Sequence, residues 1–111
     1  MTSIVRRPAL TAVARAMTED ELQTTITELL DRFKIRWHHE TDSRRSKSGL
    51  PDLIIVGRQV EFWELKAQGG KVTSEQGAFL SDLVAAGVKA RVVRPMDLLD
   101  GSVVAWVRGL R

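Results

Sequence analysis

Gly49-Leu50-Pro51-Asp52-Leu53-Ile54-Ile55-Val56-Gly57-Arg58-Gln59-Val60-Glu61-Phe62-Trp63-Glu64-Leu65-Lys66 is the stretch whose reading fixes the architecture. Two apolar, β-prone runs, 53–56 and 60–65, flank Gly57-Arg58-Gln59, and this pattern reads as a hairpin with a three-residue turn. If Val56 faces Val60 across the turn, Ile54 faces Phe62 and Asp52 faces Glu64. Directly opposed strand residues carry Cβ atoms roughly 4.5–5.5 Å apart, close enough for two carboxylates to share one cation. Side chains alternate along a strand, so Lys66 falls on the face of Glu64. A one-residue bulge at the turn would disturb this pairing and preserve the neighbourhood.

Outward from the hairpin, the elements follow from periodicity and punctuation. Thr18 precedes Glu19-Asp20-Glu21, an N-cap with acidic residues in the first helical turn. Leu22, Ile26, Leu29, Leu30 and Phe33 recur at helical spacing, so a helix is expected over 18–34. Residues 35–40 suit a short strand, and 41–50 form a polar, basic loop closed by Gly49. After a glycine-containing loop at 67–71, Thr73 or Ser74 caps a second helix through Phe79, Leu80, Leu83 and Val84, stopped by Gly87. A further strand is expected at 88–93. Pro95 then breaks the pattern, and the tail through Trp106 reads as a short helix laid on the sheet. The order is that of an α/β domain with a mixed central sheet flanked by helices. Residues 1–16, with Arg6, Arg7 and Arg15 among small apolar residues, read as a flexible basic arm ahead of a single domain at 17–111.

The composition narrows the chemistry. With 111 residues the chain fits one domain able to bury a core. It has no cysteine, which removes disulfides, thiolate metal sites and a cysteine nucleophile, and suits a reducing cytoplasm. It has no apolar run long enough for a transmembrane helix, and the first residues lack the apolar core of a secretory signal. The formal net charge is +3 and the pI about 9.8, a mild basic excess that favours a polyanionic partner.

Asp52, Glu64 and Lys66 together describe a hard-cation site with an ammonium beside it. Mg²⁺ takes oxygen ligands and keeps several waters, so two carboxylates plus a substrate phosphate suffice. A bare Glu-x-Lys is ordinarily a solvent-facing strand pair. Here the dyad sits in an apolar strand opposite an aspartate, where two like charges would repel each other unless a cation lay between them. Around it, Arg44, Arg45 and Lys47 make a basic loop just before Asp52, suited to phosphate contacts that position a strand without reading its sequence. Of His38 and His39, adjacent in a strand, at most one can approach Asp52. Trp37, Trp63 and Trp106 read as core or interface anchors rather than stacking platforms.

The segments Gly49-Leu50-Pro51-Asp52-Leu53-Ile54-Ile55, Phe62-Trp63-Glu64-Leu65-Lys66 and Thr73-Ser74-Glu75-Gln76 resemble the VRR-NUC family of PD-(D/E)xK nucleases. Val92-Val93-Arg94-Pro95 is similar to the segment that names the family, with Val93 in place of its first arginine. The resemblance spans roughly residues 18–94. It implies a restriction-endonuclease-like core and a Mg²⁺- or Mn²⁺-dependent deoxyribonuclease of the short, stand-alone type common in phages and bacteria. Asp52 and Glu64 would be metal ligands with the Leu65 carbonyl, Lys66 the catalytic lysine and Gln76 a helix residue of the site. Gln76 is also the partner of Thr73 in a Thr-x-x-Gln capping box, which needs no functional role.

The family places a glutamate on the first helix near the metal. Glu19, Glu21 and Glu28 are candidates, and Glu19 is chosen because Glu19, Leu22, Gln23 and Ile26 follow one helical stripe. Glu19 at the helix start also simply favours the helix dipole. His39 matches a histidine of the family's short members and, with Lys71, joins the expected DNA contacts. No recognition helix or zinc module is present, so the expected substrate is branched or duplex DNA, selected by structure (a junction, flap or end). A homodimer is expected by family analogy. The competing readings are an inactive nuclease fold that only binds DNA, and a subunit of a larger assembly.

Overall fold

In the computed structural model, which describes residues 7–40 and 49–111, the hairpin forms in the register that its sequence predicts. β2 (Leu53–Val56) and β3 (Val60–Leu65) are antiparallel, with Val56 opposite Val60, Ile54 opposite Phe62 and Leu53 opposite Trp63. The turn is held from outside, because Arg58 N–H donates to the Leu110 carbonyl at 2.8 Å. A Cβ on Gly57 would collide with that carbonyl, so the close approach needs glycine.

The remaining elements are α1 (Arg7–Ala16), α2 (Glu19–Arg32), β1 (Arg36–His39), α3 (Ser74–Ala85), β4 (Lys89–Val93), α4 (Pro95–Leu99) and α5 (Ser102–Gly109). The sheet order is β1-β2-β3-β4. β1 runs antiparallel to β2, whereas β4 runs parallel to β3 and is reached through the crossover helix α3. The result is the expected α/β fold, a mixed four-stranded sheet flanked by helices.

One face of the sheet carries the core. Leu53, Ile55, Trp63, Leu65 and Val93 pack against Leu22, Ile26 and Leu30 of α2 and Val103 and Val107 of α5. Full burial of each such side chain contributes roughly 1.5–3 kcal/mol. Two of the three tryptophans meet edge to face, Trp63 with Trp106, at 5.9 Å between ring centres, and Trp37 packs at the margin of the core. Buried Glu61 is satisfied by Trp63 Nε1 at 2.9 Å, Gln59 Nε2 at 2.9 Å and Arg91 at 3.2 Å. The Arg91 guanidinium in turn lies 4.1 Å from the centre of the Trp106 ring. All three tryptophans therefore serve packing.

Two expectations are corrected. The loose arm expected over 1–16 is a helix over Arg7–Ala16, with Ala14 fully buried, and it packs on α4. Pro8 near its start is compatible with a first turn, whose N–H groups have no intrahelical partner. The tail is two helices, because Pro95 opens α4 as its first residue and Gly101, at φ +89°, separates α4 from α5. No helix among the described residues is long and apolar enough to cross a membrane.

Candidate active site

Asp52 stands just beyond the last β2–β3 pair, and its Oδ2 accepts the Leu65 N–H at 2.8 Å. This bond ties the carboxylate to the end of β3, beside Glu64. Glu64 is almost wholly enclosed, with its side chain 3% exposed. Its Oε2 accepts from Gln76 Nε2 at 3.0 Å and lies 3.7 Å from Lys66 Nζ, while Oε1 is buried without a donor.

The charges in this corner conflict. Burial pushes the Glu64 carboxyl up to about 8, assisted by the Asp52 charge and a hydrogen bond between the two acids. Lys66 pulls the other way, and Glu19 adds a smaller upward push. Two ionised carboxylates cannot donate to each other, so Oε1 is orphaned when both are charged and gains a partner only when a proton is present. A proton or a cation between Asp52 and Glu64 relieves the same repulsion. On that ground the pair fits a hard divalent ion, with Asp52 Oδ1 and Glu64 Oε1 not engaged by any donor among the described residues.

Local sequence explains why the parts converge. The hairpin parity brings Asp52 to Glu64. Thr73 and Gln76 form the reciprocal capping box that starts α3, at 3.1 and 2.9 Å, and the same Gln76 amide reaches Glu64 through Nε2. The cap and the site contact are thus made by one side chain.

Gly49, at φ +98°, lets residues 49–51 lie against the first turn of α3. A Cβ there would collide with the Glu75 carbonyl group and sit 3.0 Å from Gln76 N. Its φ and its close approach both require glycine.

Glu19 is exposed rather than part of the buried stripe expected of it, although its charge is felt at Glu64. Glu21 is consumed by the α2 cap, accepting the Thr18 N–H at 2.9 Å, and Glu28 lines a surface hollow with Met17, Asp20, Glu21, Thr24 and Thr25. Among the described residues no three histidine or acidic side chains form a ready metal-holding group, so Glu19 does not join Asp52 and Glu64 in one.

His39 pairs with Leu53 and His38 with Ile54. Alternation therefore puts His39 on the core face and His38 on the face of Phe62 and Glu64. Lys71 is exposed two residues before the α3 cap. Arg44, Arg45 and Lys47 lie outside the described residues.

One residue that shapes the site had no assigned role in the sequence reading. Arg94 Nη1 binds the carbonyls of Ala67, Gln68 and Gly70 at 2.8, 3.3 and 2.7 Å, which fixes the loop that leaves Lys66. Met96 N–H donates to Gln68 Oε1 at 2.9 Å and fastens the same loop again. The only signal in the sequence was the resemblance of the segment around Arg94 to the family's naming motif.

This fold, with paired acids and a lysine at the end of a central hairpin, is that of a nuclease-like domain. The model of the VRR-NUC domain family matches residues 4–97, and the chain belongs to that family. A solved structure described as a VRR_NUC domain protein is similar to it at 28% identity, with a TM-score of 0.68 over 86% of this chain and 91% of the other. Among curated proteins none matches the chain significantly.

Proposed function

We propose that this protein is a divalent-metal-dependent deoxyribonuclease, served by Mg²⁺ or Mn²⁺, that hydrolyses phosphodiester bonds in branched or duplex DNA. The observation that carries the reading is buried Glu64 beside the half-buried Asp52, with Glu64 Oε1 orphaned and Lys66 alongside. A structural ion pair would not leave a buried carboxylate oxygen unpaired against a second acid, since such burial is costly. Asp52 and Glu64, with the Leu65 carbonyl as a further oxygen donor, would hold the ion, and Glu19 would add only its more distant charge.

When bound, the ion supplies Lewis-acid polarisation of a phosphate oxygen and a water acidified for attack. The chain's own groups do the rest. Lys66, whose Nζ lies 3.7 Å from Glu64, would hold the attacking water and offset charge as the water oxygen bonds to phosphorus and the bond to the leaving oxygen breaks. Gln76 holds Glu64 in orientation through Oε2, which would leave Oε1 available to the ion. Lys71 and the basic residues Arg44, Arg45 and Lys47 would contact the strand around the cut, whereas His39, on the core face, would not. Nothing among the described elements is a base-reading module, so selection by structure follows, with a homodimer presenting two sites to two strands.

The test is cleavage of labelled linear duplex, single strand, flap and four-way junction in Mg²⁺, Mn²⁺ or EDTA. Wild-type protein should cut at least one substrate only with metal. Lys66→Ala, prepared identically, should lose at least about a hundredfold in kcat, as for removal of one group that stabilises transition-state charge. Tight binding without cutting by the wild type would instead favour a DNA-binding module that has lost its chemistry.

A further inference from the structure

α1 presents a cationic stripe to the loop that leaves Lys66. Arg7, Thr11 and Arg15 are spaced by four and so share one side of the helix. They line a cavity of about 550 Å³ whose opposite wall is Gln68, Gly69 and Met96. From the groove geometry we infer a second phosphate-binding surface, in which Arg7 and Arg15 hold the backbone of the nucleic-acid strand as it runs on from the cutting centre. This inference rests on the nuclease reading and extends it to the strand's path.

Three observations point to an anionic strand as the occupant. First, the helix Arg7-Pro8-Ala9-Leu10-Thr11-Ala12-Val13-Ala14-Arg15-Ala16 contains no acid, so neither arginine has an ion-pair partner within it.

Second, most acceptors of the facing loop are already engaged. The carbonyls of Ala67, Gln68 and Gly70 are bound by Arg94, and Gln68 Oε1 by Met96 N–H. What that wall has left to offer is the Gln68 side-chain amide, a donor, beside the one carbonyl of Gly69. The Thr11 hydroxyl gives its own proton to the Arg7 carbonyl at 2.9 Å.

Third, Gly69 has open space where a Cβ would be, so the wall is accessible to a bulky ligand. Asp100 is the opposing charge, because Arg7 helps to hold its carboxyl below the usual range, after the hydrogen bonds from Ser102. Asp100 is exposed and already capped onto Ser102 N–H at 2.9 Å. It therefore offsets Arg7 in part, and Arg15 has no ion pair among the described residues.

The spacing suits a backbone. Arg7 and Arg15 lie about 12 Å apart along the helix at 1.5 Å per residue. One strand of a duplex carries a phosphate every 3.4 Å of axis, so the two arginines bracket about three phosphates. The wall begins at Gln68, two residues beyond Lys66, so a strand held at Lys66 passes the groove without leaving the surface of this loop.

The test compares wild type with Arg7→Gln/Arg15→Gln, and with Arg58→Gln/Arg108→Gln as an exposed control pair removed from the groove. Binding to labelled duplex and single-stranded oligonucleotides is read in EDTA over a range of salt, and cleavage in Mg²⁺. The groove variant should retain the wild-type melting temperature and kcat, and raise KM about tenfold or more. Its salt slope on duplex should fall by about 1.8, which is two phosphate contacts at 0.9 each. The control pair should change neither slope nor KM. Groove-variant values that match the control overturn the inference and leave the groove to some other, acidic partner. If the wild type cuts nothing in any metal, the nuclease reading fails, and the salt slopes still decide for or against the groove.

Discussion

The side-chain amide of Gln76 faces two ways: Oε1 accepts the Thr73 N–H at 2.9 Å while Nε2 donates to Glu64 Oε2 at 3.0 Å. The two duties separate by mutation. Thr73→Ala removes the hydroxyl that accepts from Gln76 N–H and keeps the Nε2 contact, so it should lower stability by about 1 kcal/mol and leave cleavage nearly intact. Gln76→Leu loses its share of the cap and also frees Glu64 to turn. It should show a similar stability loss, together with a 10–100-fold fall in metal affinity or kcat, the range seen when a partner of a metal ligand is removed. Denaturant titration and the Mg²⁺ dependence of cleavage give the two readings. Equal activity in the two variants would reduce Gln76 to a helix cap.

At the level of elements, legibility followed the range of the determining interactions. α2 and α3 were readable because each starts with a capping box written into four consecutive residues, Thr18 to Glu21 and Thr73 to Gln76. The hairpin was readable because turn and alternation are also local, and with it came the meeting of Asp52, Glu64 and Lys66. α1 was not, since its apolar side is built of small residues such as Ala14 and is stabilised by packing on α4, far along the chain. The histidine face was not legible either, because the β1–β2 register joins Arg36–His39 to Leu53–Val56 across a long separation in sequence, and no local rule sets that.

The loop's far end, Gly49, offers a test at this scale. With φ at +98° and the Glu75 carbonyl where a Cβ would go, Gly49→Ala should cost on the order of 1–3 kcal/mol. It should also lower kcat at temperatures where the variant is folded, because residues 49–51 carry Asp52 to the site. Urea denaturation followed by assays below the melting transition checks both, and an unchanged kcat would mean that Asp52 is held by Leu65 N–H alone.

Over the whole molecule, the site draws on the ends of β2 and β3, the first turn of α3 and the Arg94 grip from beyond β4, so its charge balance is coupled to folding. Glu64 rises from an ordinary 4.5 to about 8 on folding, chiefly through burial and then through Asp52. Between those values the folded, metal-free protein holds a proton that the unfolded chain has released. The associated stability is full below about pH 4.5 and is lost as pH rises toward and through about 8, with a slope of at most about 1.4 kcal/mol per pH unit. The metal-free melting temperature should therefore fall between pH 6 and pH 8.5, and Glu64→Gln should flatten this fall, because an amide carries no titrating charge.

An Mg²⁺ ion held between Asp52 and Glu64, as proposed, would require the ionised carboxylate and would displace that proton. Its binding near pH 7 should release close to one proton, about 0.9 for a group titrating near 8. The rise in melting temperature on adding the ion should be larger at pH 8 than at pH 6, and absent in Glu64→Gln. Calorimetry in two buffers of different ionisation enthalpy measures the proton count directly. A count near zero would mean that Mg²⁺ binds elsewhere, and that the repulsion between Asp52 and Glu64 is relieved by the proton alone.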